Sequence, residues 1–328
     1  MQVFITGGTG FIGSHLVEAL NKRDIVPKIL RRDSSSLDLL DGLDFVSVIG
    51  DILDSPQSIA EAMTGSDWVF HVAALSDYRW QDDNLIYKVN VEGTKNLISA
   101  AMQSKVSRFI FTSSLSALGI PNPGAVMDET NQFNLPPDRF PYGHSKHLAE
   151  IEVHNAVEEG FPAIILNPTG VVGPRGINQT VSSLFVEASK GRLRFYPPGG
   201  MNVIAVQDVV EGHIAAAVRG RVGENYILAG ENVSYREAFT VGCEVAGQKP
   251  PIGQIPGWLL PPLAMIASAL HKVIGDKLPL ESNQIRLAGR KIYADGGKAV
   301  RDLGLPQTPF KVTVQQAYDW YLEHGHLN

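Results

Sequence analysis

The stretch VFITGGTGFIGSHLVEAL, from Val3 to Leu20, decides the fold. A short apolar run leads into a glycine-rich turn, and the turn opens into a helical pattern. Strand, turn and helix in this order form the context that a dinucleotide fingerprint requires. Gly7 would allow the tight turn, Gly10 would leave room for a pyrophosphate, and Gly13 would let the helix pack closely on the sheet. The spacing is G-x-x-G-x-x-G, and because glycines also form ordinary turns, a purely structural turn is the alternative.

The composition is that of a globular protein with a sizeable core. The chain has 328 residues, of which 44% are hydrophobic and 19% charged, and this length allows one large α/β domain or two lobes. The net charge of −6, with no Lys/Arg run longer than a pair, argues against a nucleic-acid partner. Cys243 is the single cysteine, which excludes an internal disulfide and a cysteine metal cluster. We expect no metal site and a reducing, cytoplasmic compartment.

No segment is suited to crossing a membrane. The first predicted strand begins at Gln2, so we expect no signal peptide. The most apolar stretch, residues 258–270, is too short and too broken by proline to span a bilayer. This stretch could instead line a pocket for an apolar carbonyl compound, contact a membrane surface, form a dimer contact, or be ordinary helix core.

Short apolar runs alternate with helical patterns through the first half of the chain. The predicted strands are residues 3–6, 26–30, 45–49, 68–74, 108–113 and 163–167. This alternation predicts a parallel sheet of right-handed βαβ units over residues 1–170. After about residue 170 the alternation weakens and glycine and proline accumulate. We therefore expect residues 171–328 to form mostly a smaller lobe that closes over the carboxyl ends of the strands, with some segments returning to the sheet.

The end of the second predicted strand bears on the choice of dinucleotide. An acidic residue there would bind both ribose hydroxyls and favour NAD, whereas an arginine can pair with a 2′-phosphate and favour NADP. Counting from the glycine turn, Arg32 takes that place with Arg31 beside it, while Asp33 is next and keeps NAD as the alternative. The alternative is that Arg31 and Arg32 bind no ligand and are simply a solvated basic pair at a strand end.

Two later strand ends also suit a dinucleotide. Asp51 follows the third strand and could accept a hydrogen bond from the adenine amino group, with Ile52 covering the ring. The alternative is that Asp51 or Ser55 caps the next helix. Small residues end the fourth run and leave space for the cofactor, namely Ala73 and Ala74. His71 in the same run is expected to be a packed or hydrogen-bonded structural histidine.

The candidate chemistry follows the fifth strand, which ends in the hydroxyls of Thr112, Ser113 and Ser114. Tyr142 and Lys146 are four residues apart on a predicted helix and share one face. A lysine ammonium lowers the pKa of a nearby phenol, which makes the phenol a usable acid or base. Because Y-x-x-x-K is a common helix pattern, the pattern alone indicates only a structural surface pair. Its position after the fifth strand is what makes it indicate a catalytic pair.

Seven segments together resemble the extended short-chain dehydrogenase/reductase family, within the NAD-dependent epimerase/dehydratase superfamily. They occur in family order at residues 6–13, 50–51, 71–74, 90–94, 112–114, 142–146 and 167–169. The resemblance implies an α/β fold, with a Rossmann-type doubly wound parallel sheet that holds NAD(P) and a smaller C-terminal substrate-binding lobe. It also implies a homodimer formed through helices that include the one carrying Tyr142.

By matched position, the resemblance implies a Ser–Tyr–Lys catalytic set. Ser114 would polarise the substrate oxygen, with Ser113 as its backup. Tyr142 would be the general acid/base, and Lys146 would hold the nicotinamide ribose and lower the tyrosine pKa. Asn90 matches the family's asparagine, with a structural or proton-relay role. The full set of expected cofactor-binding residues is Gly7, Thr9, Gly10, Phe11, Ile12, Gly13, Arg31, Arg32, Asp51, Ile52, Ala73, Ala74, Asn90, Thr112, Tyr142, Lys146, Asn167, Pro168 and Thr169.

The second half resembles one branch of the family. Residues 167–175, 202–213 and 223–232 look like dihydroflavonol-reductase-like enzymes, a group that includes hopanoid-associated sugar epimerases and 3β-hydroxysteroid-dehydrogenase-like proteins. Sugar-nucleotide epimerases usually carry an arginine where this chain has Met201, and a methionine cannot neutralise a diphosphate. A loop arginine could substitute, the candidates being Arg175, Arg192 and Arg194.

These observations predict an NADP(H)-preferring oxidoreductase that interconverts a carbonyl and an alcohol on a small or apolar substrate. The cofactor would carry the hydride and Tyr142 would move the proton. One alternative is an NAD-dependent sugar or nucleotide-sugar epimerase or dehydratase. The other is a regulator that binds NAD(P) without turnover, which the complete Ser–Tyr–Lys set disfavours.

Overall fold

The computed structural model describes residues 1–75, 83–176, 186–274 and 282–327. Its strands are β1 (Val3–Thr6), β2 (Lys28–Arg31), β3 (Val46–Ile49), β4 (Trp68–His71), β5 (Arg108–Thr112), β6 (Ala163–Pro168), β7 (Gly170–Val172), β8 (Phe195–Tyr196), β9 (Gly200–Ala205), β10 (Asn225–Leu228), β11 (Glu231–Ser234), β12 (Gly253–Gln254) and β13 (Lys291–Ile292). Its α-helices are α1 (Phe11–Asn21), α2 (Pro56–Met63), α3 (Asp83–Tyr87), α4 (Gly93–Ser104), α5 (Pro141–Glu158), α6 (Val206–Arg219), α7 (Tyr235–Val245), α8 (Leu260–Ile274), α9 (Ser282–Leu287), α10 (Gly297–Leu303) and α11 (Phe310–Glu323). A π-helical turn covers Lys88–Glu92, and short 3₁₀ helices cover Asp38–Leu40, Leu115–Leu118 and Gly257–Leu259.

Seven parallel strands form the main sheet in the order β3-β2-β1-β4-β5-β6-β10. The order reverses between β1 and β4, and ligands of doubly wound sheets bind beyond the carboxyl ends of the strands at such a reversal. The register sets Thr6, the last residue of β1, beside Leu30 of β2 and His71 of β4. The predicted α/β fold of Rossmann type is therefore confirmed.

Two predicted strands differ from the observed ones by two or more residues at one end, and three others differ by a single residue. The second strand begins at Lys28 rather than at residue 26, because Pro27 has no N–H to donate to a ladder. The fourth strand ends at His71 rather than at residue 74, because its neighbour β1 ends at Thr6 and turns away. Residues 72–74 therefore leave the sheet and line the cavity described below.

Helices cover both faces of the main sheet, each over its own apolar core. On one face α1, α6 and α10 pack on the strands, and their core includes Leu16, Leu20, Val209, Ile214 and Leu303. On the other face lie α2, α4 and α5, and their core includes Ile59, Met63, Leu97, Ile98 and Val153. Burial of a side chain of this size contributes about 1.5–3 kcal/mol, so the two cores hold the strand ends, and the loops after them, in fixed places.

A second, smaller sheet lies in the later part of the chain. Its central strand β9 pairs antiparallel with β11 and parallel with β7 and β13. The apolar core beside this sheet includes Val172, Val203, Phe239, Phe310 and Tyr321. Between these segments the chain returns to the main sheet as α6, β10 and α10. The division into two domains at residue 170 stays a prediction.

The apolar stretch 258–270 begins in a 3₁₀ helix and continues in α8. Leu260 and Ala264 are buried, whereas Trp258 is 74% exposed, Met265 66% and Ile266 55%. None of these five residues lines the cavity described below. Among the described residues, no helix is long and apolar enough to cross a membrane.

Candidate active site

The glycine turn between β1 and α1 leaves its backbone open to a ligand. Gly7 has a φ of +73°, a conformation that glycine adopts without steric cost, and its carbonyl accepts a hydrogen bond from the Gly10 N–H over 3.0 Å. A Cβ on Gly13 would meet that same carbonyl, so the close approach of helix and turn requires glycine there. A Cβ on Gly10 would meet only the Gly7 carbonyl, at 3.3 Å. The first N–H groups of α1 therefore remain accessible to an anion.

A cavity of about 630 Å³ opens at the carboxyl ends of β1 to β6, within the usual range for ligand sites. The expected cofactor-binding residues that line it are Gly7, Thr9, Gly10, Phe11, Ile12, Gly13, Arg31, Arg32, Asp51, Ile52, Ala73, Ala74, Thr112, Tyr142, Pro168 and Thr169. The cavity continues from the open glycine backbone to the strand ends on both sides of the reversal. Its residues therefore fit a dinucleotide.

One end of the cavity, which we call the Arg32 end, is lined by Arg31, Arg32, Ser35, Asp51 and Ile52. Arg31 is tied to the protein, since its Nε donates to Ser47 Oγ over 2.7 Å and its Nη1 to the Arg32 carbonyl over 3.2 Å. Arg32 is exposed, and its guanidinium makes no hydrogen bond or ion pair within the described part of the chain. Asp33 does not line the cavity. Arg32 is thus the cation at this end that is available to a phosphate.

The hydrogen bonds of the segment after β3 show which residue caps the next helix. Ser55 is the N-cap of α2, because its side chain accepts from the Ser58 N–H over 3.2 Å. Asp51 Oδ1 accepts from the Leu53 N–H over 3.0 Å and so stabilises its own turn. Asp51 also lines the cavity beside the buried Ile52. A contact with adenine stays a prediction.

The opposite end, which we call the Tyr142 end, is where β5 meets the start of α5. Pro141 occupies the first helical position, which proline favours, and this places Tyr142 on the first turn at the edge of the cavity. The Ser114 hydroxyl and the Tyr142 phenol form a hydrogen bond. Ser114 Oγ also accepts from the Ser116 N–H over 3.2 Å. Serine and tyrosine therefore meet at the cavity as the resemblance implies.

Lys146 lies beneath the Tyr142 end rather than in its lining. Its side chain is only 1% exposed. Its Nζ donates to the Thr112 carbonyl over 2.7 Å and lies 4.2 Å from the centre of the Phe111 ring. Burial lowers the pKa of Lys146 to about 7, against the opposing charge of Glu150. The amine is therefore poised between its charged and neutral forms near neutral pH.

The expected lowering of the Tyr142 pKa by Lys146 is not found. Burial raises the pKa of Tyr142, and the hydrogen bond from Ser114 opposes this rise. The physical reason is that Lys146 Nζ is held by the Thr112 carbonyl and is itself only partly charged at neutral pH. Tyr142 is consequently protonated at neutral pH, the form that can donate a proton.

Two asparagines expected to bind the cofactor are buried and do not line the cavity. Asn90 exchanges hydrogen bonds with the backbone of Leu75, at 2.8 and 3.0 Å, and donates to Ser145 Oγ over 2.9 Å. It therefore joins the loop after β4 to α5. Asn167 Nδ2 donates to Glu150 Oε1 over 2.6 Å and to the Ser114 carbonyl over 3.1 Å.

Buried histidines support the strand ends below the cavity. His71 lies between Thr6 Oγ1 at 2.8 Å and Thr94 Oγ1 at 2.9 Å, a structural histidine as expected. His213 was missed from the sequence. Its Nδ1 donates to the Val209 carbonyl over 2.8 Å, so its Nε2 accepts from Thr112 Oγ1, also over 2.8 Å. Thr112 thus uses its hydroxyl for His213 and its carbonyl for Lys146.

The later part of the chain contributes no cation to the cavity in the described ranges. Met201 is half-buried and packs in the core of the smaller sheet. Arg175 pairs with Glu18 over 2.8 Å, and Arg192 pairs with Glu187 over 3.2 Å. Neither of these arginines, nor Arg194, lines the cavity.

The comparison with known proteins agrees with this geometry. Residues 3–229 match the NAD dependent epimerase/dehydratase family. The chain belongs to this family. Within the described residues, no group of three or more histidine, cysteine or acidic side chains is arranged to hold a metal ion.

Individual proteins also match nearly the whole chain. A Synechocystis sp. protein with the provisional name dihydroflavonol 4-reductase is 31% identical and covers 99% of this chain and 95% of that protein. The 4-hydroxy-2-methyl-3-oxo-4-farnesyl-3,4-dihydroquinoline-1-oxide ketoreductase of Stigmatella aurantiaca is 29% identical, and the match covers 99% of this chain and 97% of that protein. The crystal structure of gox2253 is 33% identical, covers 99% of each chain and has a TM-score of 0.86. The chain is an NAD(P)-dependent enzyme of the extended short-chain dehydrogenase/reductase type.

Proposed function

We propose that the protein is an NADP(H)-preferring reductase that interconverts a ketone or aldehyde and the corresponding alcohol on a small or apolar substrate. The observation that carries this proposal is the hydrogen-bonded Ser114–Tyr142 pair at the cavity, with Lys146 directly beneath it. Two hydroxyl groups at one edge of a cavity can bind a carbonyl oxygen and protonate it as negative charge develops there.

Each part of the cavity has a place in this chemistry. The glycine turn would hold the pyrophosphate at the start of α1, Arg32 would hold a 2′-phosphate, and Lys146 would hold the nicotinamide ribose. The bound cofactor supplies the hydride. Ser114 would donate a hydrogen bond to the substrate oxygen. Tyr142, which its raised pKa keeps protonated at neutral pH, would donate its proton to that oxygen.

The lining of the cavity supports an apolar substrate. The apolar residues of the lining include Leu75, Leu85, Val89 and Val171. A nucleotide-sugar substrate carries a diphosphate that needs cationic partners, and in the described ranges the residues after 170 provide none at the cavity. The Stigmatella relative is by its name a ketoreductase of a farnesylated ring compound, which also favours a reductase over an epimerase.

The proposal is tested by following NADPH absorbance with a panel of apolar aldehydes and ketones. Tyr142→Phe removes the proton donor, so turnover should fall by about 10²–10⁴-fold. The dissociation constant for NADPH should stay unchanged. Tyr318→Phe is the matched control, because Tyr318 packs in the smaller sheet's core and does not line the cavity.

Near-normal turnover in Tyr142→Phe would remove this residue from the mechanism. The epimerase alternative makes a different prediction. The purified protein would then carry NAD that survives gel filtration, and no carbonyl in the panel would cause oxidation of NADPH. Mass spectrometry of the denatured protein identifies the nucleotide directly.

A further inference from the structure

Glu150 is a buried carboxylate that the proposed reaction does not yet use. It lies on α5, one turn after Lys146 and two turns after Tyr142, so the three side chains share one helix face. Glu150 is only 5% exposed. Oε1 accepts from Asn167 Nδ2 over 2.6 Å, and Oε2 accepts from Asn225 Nδ2 over 3.3 Å. A carboxylate withdrawn this far from water is costly unless it is paired and hydrogen-bonded.

Lys146 lies one helical turn before Glu150 on the same face of α5 and is the cation on which this carboxylate acts. Lys146 Nζ contacts a carbonyl at 2.7 Å and an aromatic ring at 4.2 Å, and neither carries a full charge. Burial raises the pKa of Glu150, and this rise is opposed by hydrogen bonds from Ser113 and Asn167 and by the Lys146 charge. Glu150 is in turn the anion that raises the pKa of Lys146 against burial. The two groups therefore stabilise each other's charged form.

Glu150 also reaches the catalytic serine through one amide. Asn167 Nδ2, which donates to Glu150, donates as well to the Ser114 carbonyl over 3.1 Å. Asn225 Nδ2 bridges the pair by donating to Asn167 Oδ1 over 3.2 Å and to Glu150. The carboxylate thus fixes the amide that holds the backbone of Ser114.

The other titratable and charged groups near this network have their own partners. Tyr142 interacts with Ser114. His71 of β4 is the group across the sheet that the Lys146 charge reaches, and it is neutral because burial lowers its pKa well below the ordinary value. Lys298 of α10 donates to the Asn225 carbonyl but pairs with Glu224 over 2.6 Å. On another face of α5, Glu152 pairs with Lys95 over 3.3 Å.

We propose that Glu150 is a positioning residue that keeps Lys146 positively charged and holds the Ser114 backbone during the reaction. This inference rests on the function proposed above. A competing interpretation is that Glu150 only satisfies the two asparagine amides and has no effect on the charge of Lys146. Glu150→Gln separates the two, because it keeps the size and a hydrogen-bond acceptor but removes the charge.

The decisive measurement is the pH profile of kcat for carbonyl reduction. In the unmodified protein the rate should fall at high pH as Lys146 loses its proton. In Glu150→Gln this alkaline limb should move to lower pH by about 1–2 units, the size of effect that a nearby opposite charge has on a pKa. Glu150→Asp, which retains the charge, should keep the limb in place even where kcat falls. Glu158→Gln, an exposed position on the same helix, is the control.

A profile in Glu150→Gln that matches the unmodified protein would overturn the proposal, as would equal shifts in Glu150→Gln and Glu150→Asp. A second readout does not depend on activity. Lys146→Met leaves Glu150 without its cation, so the double variant Lys146→Met/Glu150→Gln should unfold at a higher urea concentration than Lys146→Met alone. If Glu150 serves only the two amides, the double variant should be the less stable one.

The unfolding comparison also separates the two proposals. If the unmodified protein reduces no carbonyl, the proposed function fails, yet the urea midpoints still decide whether Lys146 and Glu150 act as a pair. If the protein is a reductase that depends on Tyr142 and the alkaline limb does not move, this inference alone fails. If Glu150→Gln does not fold, a folded double variant Lys146→Met/Glu150→Gln would support the coupling of Lys146 and Glu150. Failure of the double variant to fold would contradict that coupling.

Discussion

At the Arg32 end of the cavity the cation is an exposed arginine at the surface. At the Tyr142 end the cation is a buried lysine beneath the cavity lining, where polar groups bind it. Arg32 is exposed, and its guanidinium has no polar partner within the described residues. Lys146 is 1% exposed and is held by the Thr112 carbonyl. Removing the Arg32 side chain should change only what the cavity binds, while removing the Lys146 side chain should also change the interior of the fold. Affinity for a ligand and stability of the protein should therefore be separable at one end and linked at the other.

The largest expected effect is on the stability of Lys146→Met. At a pH below 7, where the Lys146 pKa of about 7 leaves the amine charged, the substitution strands the buried Glu150 charge. A buried charge left uncompensated costs up to about 3–5 kcal/mol, and urea unfolding measures the loss. Arg32→Ala is the matched substitution at the other end and should change the free energy of unfolding by less than about 0.5 kcal/mol. Equal losses in the two variants would contradict the contrast between the ends.

The Tyr142 end should also make the fold sensitive to acid. Burial lowers the pKa of His213 to about 4, whereas an unfolded histidine titrates near 6.5, so between these values only the unfolded chain binds the proton. Stability is therefore lost as the pH falls from about 6.5 to about 4, by up to roughly 3 kcal/mol from this one group.

Urea unfolding across that pH range measures this loss. His213→Gln should flatten the slope, while Arg32→Ala at the other end should leave it unchanged. His15, whose pKa burial also lowers to about 4, is present in all three proteins, so the comparison isolates His213. An unchanged slope in His213→Gln would show that this histidine does not titrate between the folded and unfolded states.

The smallest expected effect is on cofactor affinity at the Arg32 end. Arg32→Ala should weaken NADPH binding by roughly 1.5–3 kcal/mol, the value of a hydrogen bond to a charged group, and should leave NADH binding almost unchanged. Arg31→Ala should matter less, because Arg31 is already bonded to Ser47. Fluorescence titration of both nucleotides measures these affinities. Equal affinity of the unmodified protein for NADPH and NADH would remove the role assigned to Arg32.

The features that the sequence predicts well are those whose partners are close along the chain. The glycine turn is one example, because β1, Gly7 to Gly13 and α1 follow each other directly. The Tyr142–Lys146 face is another, since four residues on a helix fix their relation. The parallel main sheet follows from the alternation of strands and helices together with the right-handed crossover rule, whereas its strand order was not predicted.

The features that the sequence does not predict depend on partners far apart in the chain. Thr112 meets His213 across 101 residues, and Glu150 meets Asn225 across 75. Asn167 was expected to contact the cofactor, yet its amide is used by Glu150 and Ser114. One signal was available, because Glu150 continues the face of Tyr142 and Lys146 by one more helical turn. Only the fold shows that this face is buried.

The position of β10 at the edge of the main sheet has a consequence for how the protein is made. The glycine turn and the Arg32 end of the cavity lie between Gly7 and Asp51 and are synthesised early. Asn225, which completes the hydrogen bonds of Glu150, lies on β10 and is synthesised much later. At about 5–20 residues per second, on the order of ten to thirty seconds separate the two during synthesis. We therefore expect that a nascent chain can bind a nucleotide before Lys146 has all of its buried neighbours, and that activity is the last property to appear.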